Sequence, residues 1–287
     1  MTKHELIVEP EGYLSLKNKP TKSELEAYYR NKYYQESKGA YEACYSPEEV
    51  KWKKSVEEVT ILALKDVVQV KTFLDIGCGE GFLVSAMLEK GADAYGIDFG
   101  LEGVKQHNSE IIHRTKACDI YEYIEKEDLS RFDCVSIMHV IEHVLDPRKL
   151  ISMLKDKMKP GTILIVRHPN DNSILHKYAK SRGKFKEDFF IEVPDHLSYF
   201  NVENMEVFLK EQQLDVIKKF SSWPVDLAIL NDDTNYAKDP SKGKSVHNAR
   251  VLTHNLLFES SNSNYLKLLV DFAELGIGRD ITFICRV

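Results

Sequence analysis

The chain has no apolar run of the roughly 18 residues that a bilayer-spanning helix needs, so no helical membrane span is expected. Its opening segment, MTKHELIVEPEG, lacks the apolar core of a signal peptide, and no secretory leader is read from it. Cysteines are few and solitary. Cys44, Cys78, Cys118, Cys134 and Cys285 include no C-x-x-C pair, which argues against a zinc site or a disulfide framework and for reduced core residues of a cytoplasmic protein. Positive charge is not in excess either: 39 Lys and Arg against 45 Asp and Glu leave a net charge of −6, which argues against a nucleic-acid partner. There is no internal repeat and no low-complexity tract. What is present is ordinary for a globular chain, 43% hydrophobic and 29% charged residues, and 287 residues suffice for one large domain or a core with additions.

The most informative stretch is Lys71 to Phe99, KTFLDIGCGEGFLVSAMLEKGADAYGIDF. Phe73 to Ile76 is a short apolar run of the buried-strand kind, followed by the turn Gly77-Cys78-Gly79-Glu80-Gly81. Phe82, Leu83, Ala86, Met87 and Leu88 then recur at helical spacing up to Lys90-Gly91. A second strand, Ala94 to Ile97, ends in Asp98. This is a βαβ unit that captures a nucleotide: glycines admit close backbone approach, a helix N-terminus faces the ligand, and Asp98 accepts from a ribose diol. The spacing is not the G-x-G-x-x-G that seats a pyrophosphate. An acid, Asp75, precedes the first glycine, and a carboxylate there suits a ligand carrying ammonium and sulfonium charge.

These residues resemble motif I of the class I S-adenosylmethionine-dependent methyltransferases, including the ubiquinone-biosynthesis type, and Asp98 matches that family's ribose-binding acid. The resemblance implies a Rossmann-like α/β fold with helices on both faces of a seven-stranded sheet, the last strand antiparallel. It covers about residues 46–220 and 278–287. It also implies S-adenosyl-L-methionine as cofactor, with S-adenosyl-L-homocysteine as product. On this reading Asp75, Gly77, Cys78, Gly79, Gly81, Asp98 and Phe99 line the cofactor site. Asp119 lies where the family contacts the adenine amino group, with Ile120 beside the ring; a plain turn-former is the alternative for Asp119.

The rest of the chain falls into order around that unit. Residues 1–45 are rich in tyrosine, with a helix expected from Glu24 to Tyr34. They read as an N-terminal lid that brings Tyr33, with Tyr34, towards the cofactor. Ser46-Pro47-Glu48-Glu49 starts a helix running to about Val68. A second amphipathic helix is expected over Leu101 to Ile112, and strands at Ala117 to Ile120, Phe132 to Met138, Thr162 to Val166, Leu214 to Phe220 and Ile281 to Val287. Pro147 to Met158 and Val202 to Gln212 read as helices. Periodicity fades between Asp171 and Tyr199. The core is thus 46–220 and the last strand lies in 278–287. The intervening 221–277 reads as a helical insertion that recognises substrate or forms a homo-oligomer contact.

Methyl transfer aligns a nucleophile with the methyl carbon and sulfonium, and removes a proton from the acceptor. Histidine suits that last task near neutral pH. His139, His143, His168 and His196 are the candidates, and His139, at a strand tip and also beside the cofactor, is the best placed. The string His139-x-x-Glu142-His143 matches an inverted zincin motif, but it begins at a strand end instead of on a helix, which argues against a metallopeptidase. A divalent metal on His139, Glu142 and His143 would need a helical turn, and no metal is assigned. In the ubiquinone-biosynthesis-type relatives this turn commonly carries Glu-His against the methyl donor. The expected activity is O-methylation of a small polar acceptor, most simply a sugar or sugar-nucleotide hydroxyl. A small amine acceptor, a silent S-adenosylmethionine-binding scaffold and a nicotinamide oxidoreductase are the alternatives.

Overall fold

A computed structural model describes residues 5–29 and 44–287. A hairpin, β1 (Leu6–Val8) and β2 (Leu14–Leu16), opens the chain, followed by α1 (Lys22–Tyr28). Next, α2 (Pro47–Leu64) starts where Ser46 and Glu49 cap each other reciprocally, with proline in the first turn. The core then runs β3 (Thr72–Ile76), α3 (Phe82–Glu89), β4 (Asp93–Asp98), α4 (Glu102–His107), β5 (Thr115–Ala117) and α5 (Ile120–Lys126). It continues through β6 (Cys134–Met138), α6 (Pro147–Lys157), β7 (Ile163–Pro169) and α7 (Ile174–Ser181). After β8 (Ser198–Tyr199) come α8 (Val202–Glu211), β9 (Asp215–Ser221), α9 (Gly243–Ser260), α10 (Asn262–Glu274) and β10 (Asp280–Arg286).

Seven strands form the main sheet in the order β5-β4-β3-β6-β7-β10-β9. β3 to β7 pair in parallel, while β10 runs antiparallel to both β7 and β9. The expected fold class is therefore the one observed. Side chains alternate across the sheet with period 2. Leu74, Ile76, Val135, Ile137, Leu164, Val166 and Phe283 enter the core cluster that includes residues of α5, α6 and α8. Phe73, Cys134, Ile163, Ile165 and Ile284 enter the one that includes residues of α2, α3 and α10. No helix among the described residues is long and apolar enough to cross a membrane.

Several elements differ from the sequence-based expectation. The helix expected over 101–112 is a short α4 followed by a 3-10 turn, Ser109–Arg114. β5 stops at Ala117, and Asp119 caps a helix, α5, instead of ending a strand. β7 extends to Pro169. The segment whose periodicity fades contains α7, capped by Ser173. The opening hairpin joins β8 in a three-stranded sheet, with Tyr13 fully buried and stacked on Phe200 at 4.3 Å. Arg148 binds Glu11 there, so the start of the segment expected to form a lid is fastened to α6. Tyr33 and Tyr34 lie outside the described residues.

Candidate active site

The C-terminal ends of the parallel strands, with the N-terminal end of antiparallel β10, surround a cavity of about 1130 Å³. Its β3–β4 side is built by local sequence. Gly77 adopts φ 77°, and a Cβ there would lie 2.4 Å from Val140 Cγ2, so only glycine lets the turn and the β6 loop close together. Gly81, at φ 80°, opens α3. The Gly79 amide donates to Asp98 Oδ2 at 2.8 Å, which ties the tip of β4 to the glycine turn. Burial holds the Asp98 pKa above the ordinary carboxylate value, although the amides of Gly79 and Gly100 favour its charge. Gly77, Cys78, Gly79, Gly81, Asp98, Phe99, Asp119 and Ile120 all line the cavity. Asp119 does so while accepting from the Glu122 amide at 2.9 Å, so cap and wall are one residue.

Asp75 sits directly opposite Ser136 in the β3–β6 register, on the face shared by Phe73 and Cys134, and lines the cavity. It is buried, and Ser136 Oγ donates to it at 2.6 Å. Burial pushes its pKa up to about 7, with Glu57 and Asp98 adding to the effect against the Ser136 bond and Arg167. A buried carboxyl without a neutralising partner is a place for a cation.

The four histidine candidates separate. His139 follows β6 directly and lines the cavity, with a 42% exposed side chain. Its backbone is left-handed, φ 54°, which is uncommon for a residue with a Cβ. His139 Nδ1 lies 3.3 Å from Glu142 Oε1. Partial enclosure opposes charge on this ring, but Glu142 and Asp280 outweigh it and raise its pKa above the ordinary value. Glu142 is buried, which disfavours its charge. The His139 bond and the positive potential of His143, His139 and His196 prevail and hold its pKa at about 2. His143 also lines the cavity, whereas His196 packs behind it with ring centroids 4.9 Å apart.

His168 does not belong to the cavity, a correction to the set of four. Alternation along β7 sends Arg167 to the cavity face and His168 to the other, where it stacks on Phe283 and is fully buried. Burial lowers its pKa to about 4. Glu142 lies one position before His143 in a non-helical turn, and its Oε1 is engaged by the His139 ring. The helical convergence of His139, Glu142 and His143 is therefore not formed.

The cavity contains residues that local pattern reading missed. Arg167 reaches Glu57 at 3.1 Å and Thr60 Oγ1 at 2.6 Å, bracing α2 over the sheet. Asp280 accepts from Ser222 Oγ at 2.8 Å, and Asp280, Ser221, Ser222, Trp52 and Leu269 all contribute to the wall. Leu25 and Tyr29 close another part of it, and Tyr29 stacks on Phe99 at 6.0 Å. Glu80 receives hydrogen bonds from Lys53 and from Tyr45, each at 2.5 Å, fastening α2 to the glycine turn. Only the polar–acidic character of Ser222, at the start of the expected insertion, and Asp280, just after it, offered a hint in the sequence.

Known proteins resemble this chain over its core. Residues 50–219, more than half of the chain, match a family model described as a methyltransferase domain. A stretch of 115 residues is 32% identical to a ubiquinone biosynthesis O-methyltransferase of Psychrobacter arcticus, covering 38% of this chain and 45% of that protein. A similar stretch of 116 residues is 35% identical to the protein of that name from Thiobacillus denitrificans, covering 39% and 47%. The match thus spans less than half the length of these curated relatives. A SAM-dependent methyltransferase from Archaeoglobus fulgidus shares the fold, with a TM-score of 0.52 at 20% identity over 82% of this chain and 94% of that one.

Proposed function

Because the chain belongs to the methyltransferase-domain family, we propose that it moves the methyl group of S-adenosylmethionine to a hydroxyl of a small acceptor, releasing S-adenosylhomocysteine. The observation that carries this reading is the place of His139. Strand order puts β3, β4 and β5 on one side of β6, and β7, β10 and β9 on the other. The nucleotide-binding features all belong to the first side, and Asp280, Ser221 and Ser222 to the second. His139 stands at the end of the strand between them.

The donor side holds the cofactor in pieces. The glycine turn lets its backbone approach, Asp98 accepts from the ribose hydroxyls, and Asp119 and Ile120 take the adenine edge and face. Asp75 offers a carboxylate to the ammonium and sulfonium charge; a bound cation restores the balance that burial removed. On the other side, Asp280 and Ser222 orient an acceptor hydroxyl. In the transfer the acceptor oxygen forms its bond to the methyl carbon as the carbon–sulfur bond breaks in line. His139 takes the hydroxyl proton. His254 and Leu269 bring the insertion to the cavity wall, so it contributes to acceptor recognition.

Two acceptor classes suit different parts of the wall. Asp280, Ser221 and Ser222 favour a sugar or sugar-nucleotide hydroxyl. Trp52, Phe220 and Leu269 favour a phenolic ring, the reading that the names of the two relatives suggest. The test is to offer methyl-labelled S-adenosylmethionine with panels of sugars and sugar nucleotides, catechols and small amines. Label is expected in a hydroxyl compound, and His139→Ala should lower that turnover by about 100-fold or more with S-adenosylhomocysteine affinity retained. Label in amines alone would overturn the acceptor assignment, and full turnover by the variant would remove His139 as base.

A further inference from the structure

Behind His139, three ligand groups converge that methyl transfer does not use as a set. Glu142, His143 and His196 each offer one ligand atom, all within 4.8 Å of one another. Glu142 is 1% exposed, and its Oε2 has no hydrogen-bond partner. His143 Nδ1 lies 2.8 Å from the Asp195 carbonyl oxygen, which only accepts, so the ring proton is assigned to Nδ1. That leaves His143 Nε2 as a lone pair, facing Glu142 Oε1 across 4.0 Å. His196 Nδ1 is buried and also without a partner. Two imidazoles and one buried carboxyl group therefore gather around one point. The His139 ring engages Oε1 of that carboxylate, so the unpartnered Oε2 and the imidazole nitrogens are what a cation would complete.

We propose that Glu142, His143 and His196 bind one divalent transition-metal ion of the Mn²⁺, Fe²⁺ or Zn²⁺ kind. Two imidazoles and one carboxylate suit such ions better than Mg²⁺ or Ca²⁺, which favour oxygen ligands throughout. The outer support is already built: the Nδ1–H of His143 points to the Asp195 carbonyl, and Asp195 Oδ1 lies 3.6 Å from the same nitrogen. This fixes which nitrogen is free to ligate. His143 forms part of the cavity wall, so the ion lies at the edge of the acceptor space. Three protein ligands leave further coordination positions. Resting on the methyl-transfer reading, these positions take acceptor oxygens and select substrates with two adjacent oxygen functions.

The test uses the full chain, stripped by chelation and titrated with Mn²⁺ followed by electron paramagnetic resonance. S-adenosylhomocysteine affinity is measured in parallel by calorimetry. One bound Mn²⁺ per chain is expected, weakened about tenfold or more by His196→Ala and by the near-isosteric Glu142→Gln. Retained S-adenosylhomocysteine binding by each variant reports that it is folded. A second readout needs no variant: Co²⁺ added to the unsubstituted protein should show visible absorption stronger than that of the hydrated ion. No uptake of Mn²⁺ or Co²⁺, or uptake indifferent to both substitutions, would overturn the proposal. Metal uptake that obeys the substitutions in a chain that does not bind S-adenosylhomocysteine would support this site while sinking the methyl-transfer reading.

Discussion

The two sides of the cavity are made in different ways. The donor side comes mainly from 29 consecutive residues, Lys71 to Phe99, whose strand, turn, helix and second strand are neighbours in the chain. The proposed acceptor side joins Trp52 of α2, the loop after β6, the tip of β9 and the first residue of β10. Its residues meet only because β10 inserts between β7 and β9. A binding site for a common donor can be encoded as one local unit, while a site for a particular acceptor is collected from wherever the fold leaves strand ends. The first kind shows in spacing and the second does not.

If the sides are separable, substitutions should separate them too. The largest effect is expected at Asp98. Asp98→Ala removes the proposed ribose acceptor and the anchor of the Gly79 amide, and S-adenosylmethionine affinity should fall by about 100-fold, the loss of one charged hydrogen bond. Turnover at saturating cofactor should change far less; a collapse of both would show that the division is false. Next comes pH. Free Asp75, with its pKa raised to about 7, is ionised above that pH and protonated below it. A cationic donor favours the ionised form. S-adenosylmethionine affinity should therefore be flat above pH about 7 and fall by up to about tenfold per unit below it, until the lower pKa of the complex is reached. Asp75→Asn should abolish that slope, and a slope that survives would assign the titration elsewhere. The smallest effect sharpens the boundary itself. His139 holds a left-handed backbone, so His139→Gly should be more stable than His139→Ala by about 1 kcal/mol. Equal melting temperatures would mean that the backbone there carries no strain.

Legibility followed the same division. The β3–α3–β4 unit, the Ser46 cap and the seven-stranded sheet with its antiparallel last strand could be anticipated because each rests on local spacing or on a family resemblance. α7 could not. Its polar neighbourhood, with His176, Asp171 and Asp226, reads as a solvated loop but is buried. His176 Nε2 pairs with Asp226 at 2.8 Å, and Arg279 reaches Asp171 at 3.0 Å. Charges hidden by distant partners leave no periodic mark. The opening hairpin escaped notice for a related reason: its short strands are completed by β8, more than 180 residues further on. Arg167 and His168 show the limit at the scale of one residue. Both lie near the end of the same strand, and only the sheet's alternation decides which one meets the cavity.

The most direct measurement is calorimetric titration of the full chain with S-adenosylhomocysteine and, separately, with NAD. One S-adenosylhomocysteine bound per chain, with no heat from NAD, is the predicted result. Binding of NAD without S-adenosylhomocysteine would contradict the donor-site assignment on which everything else stands.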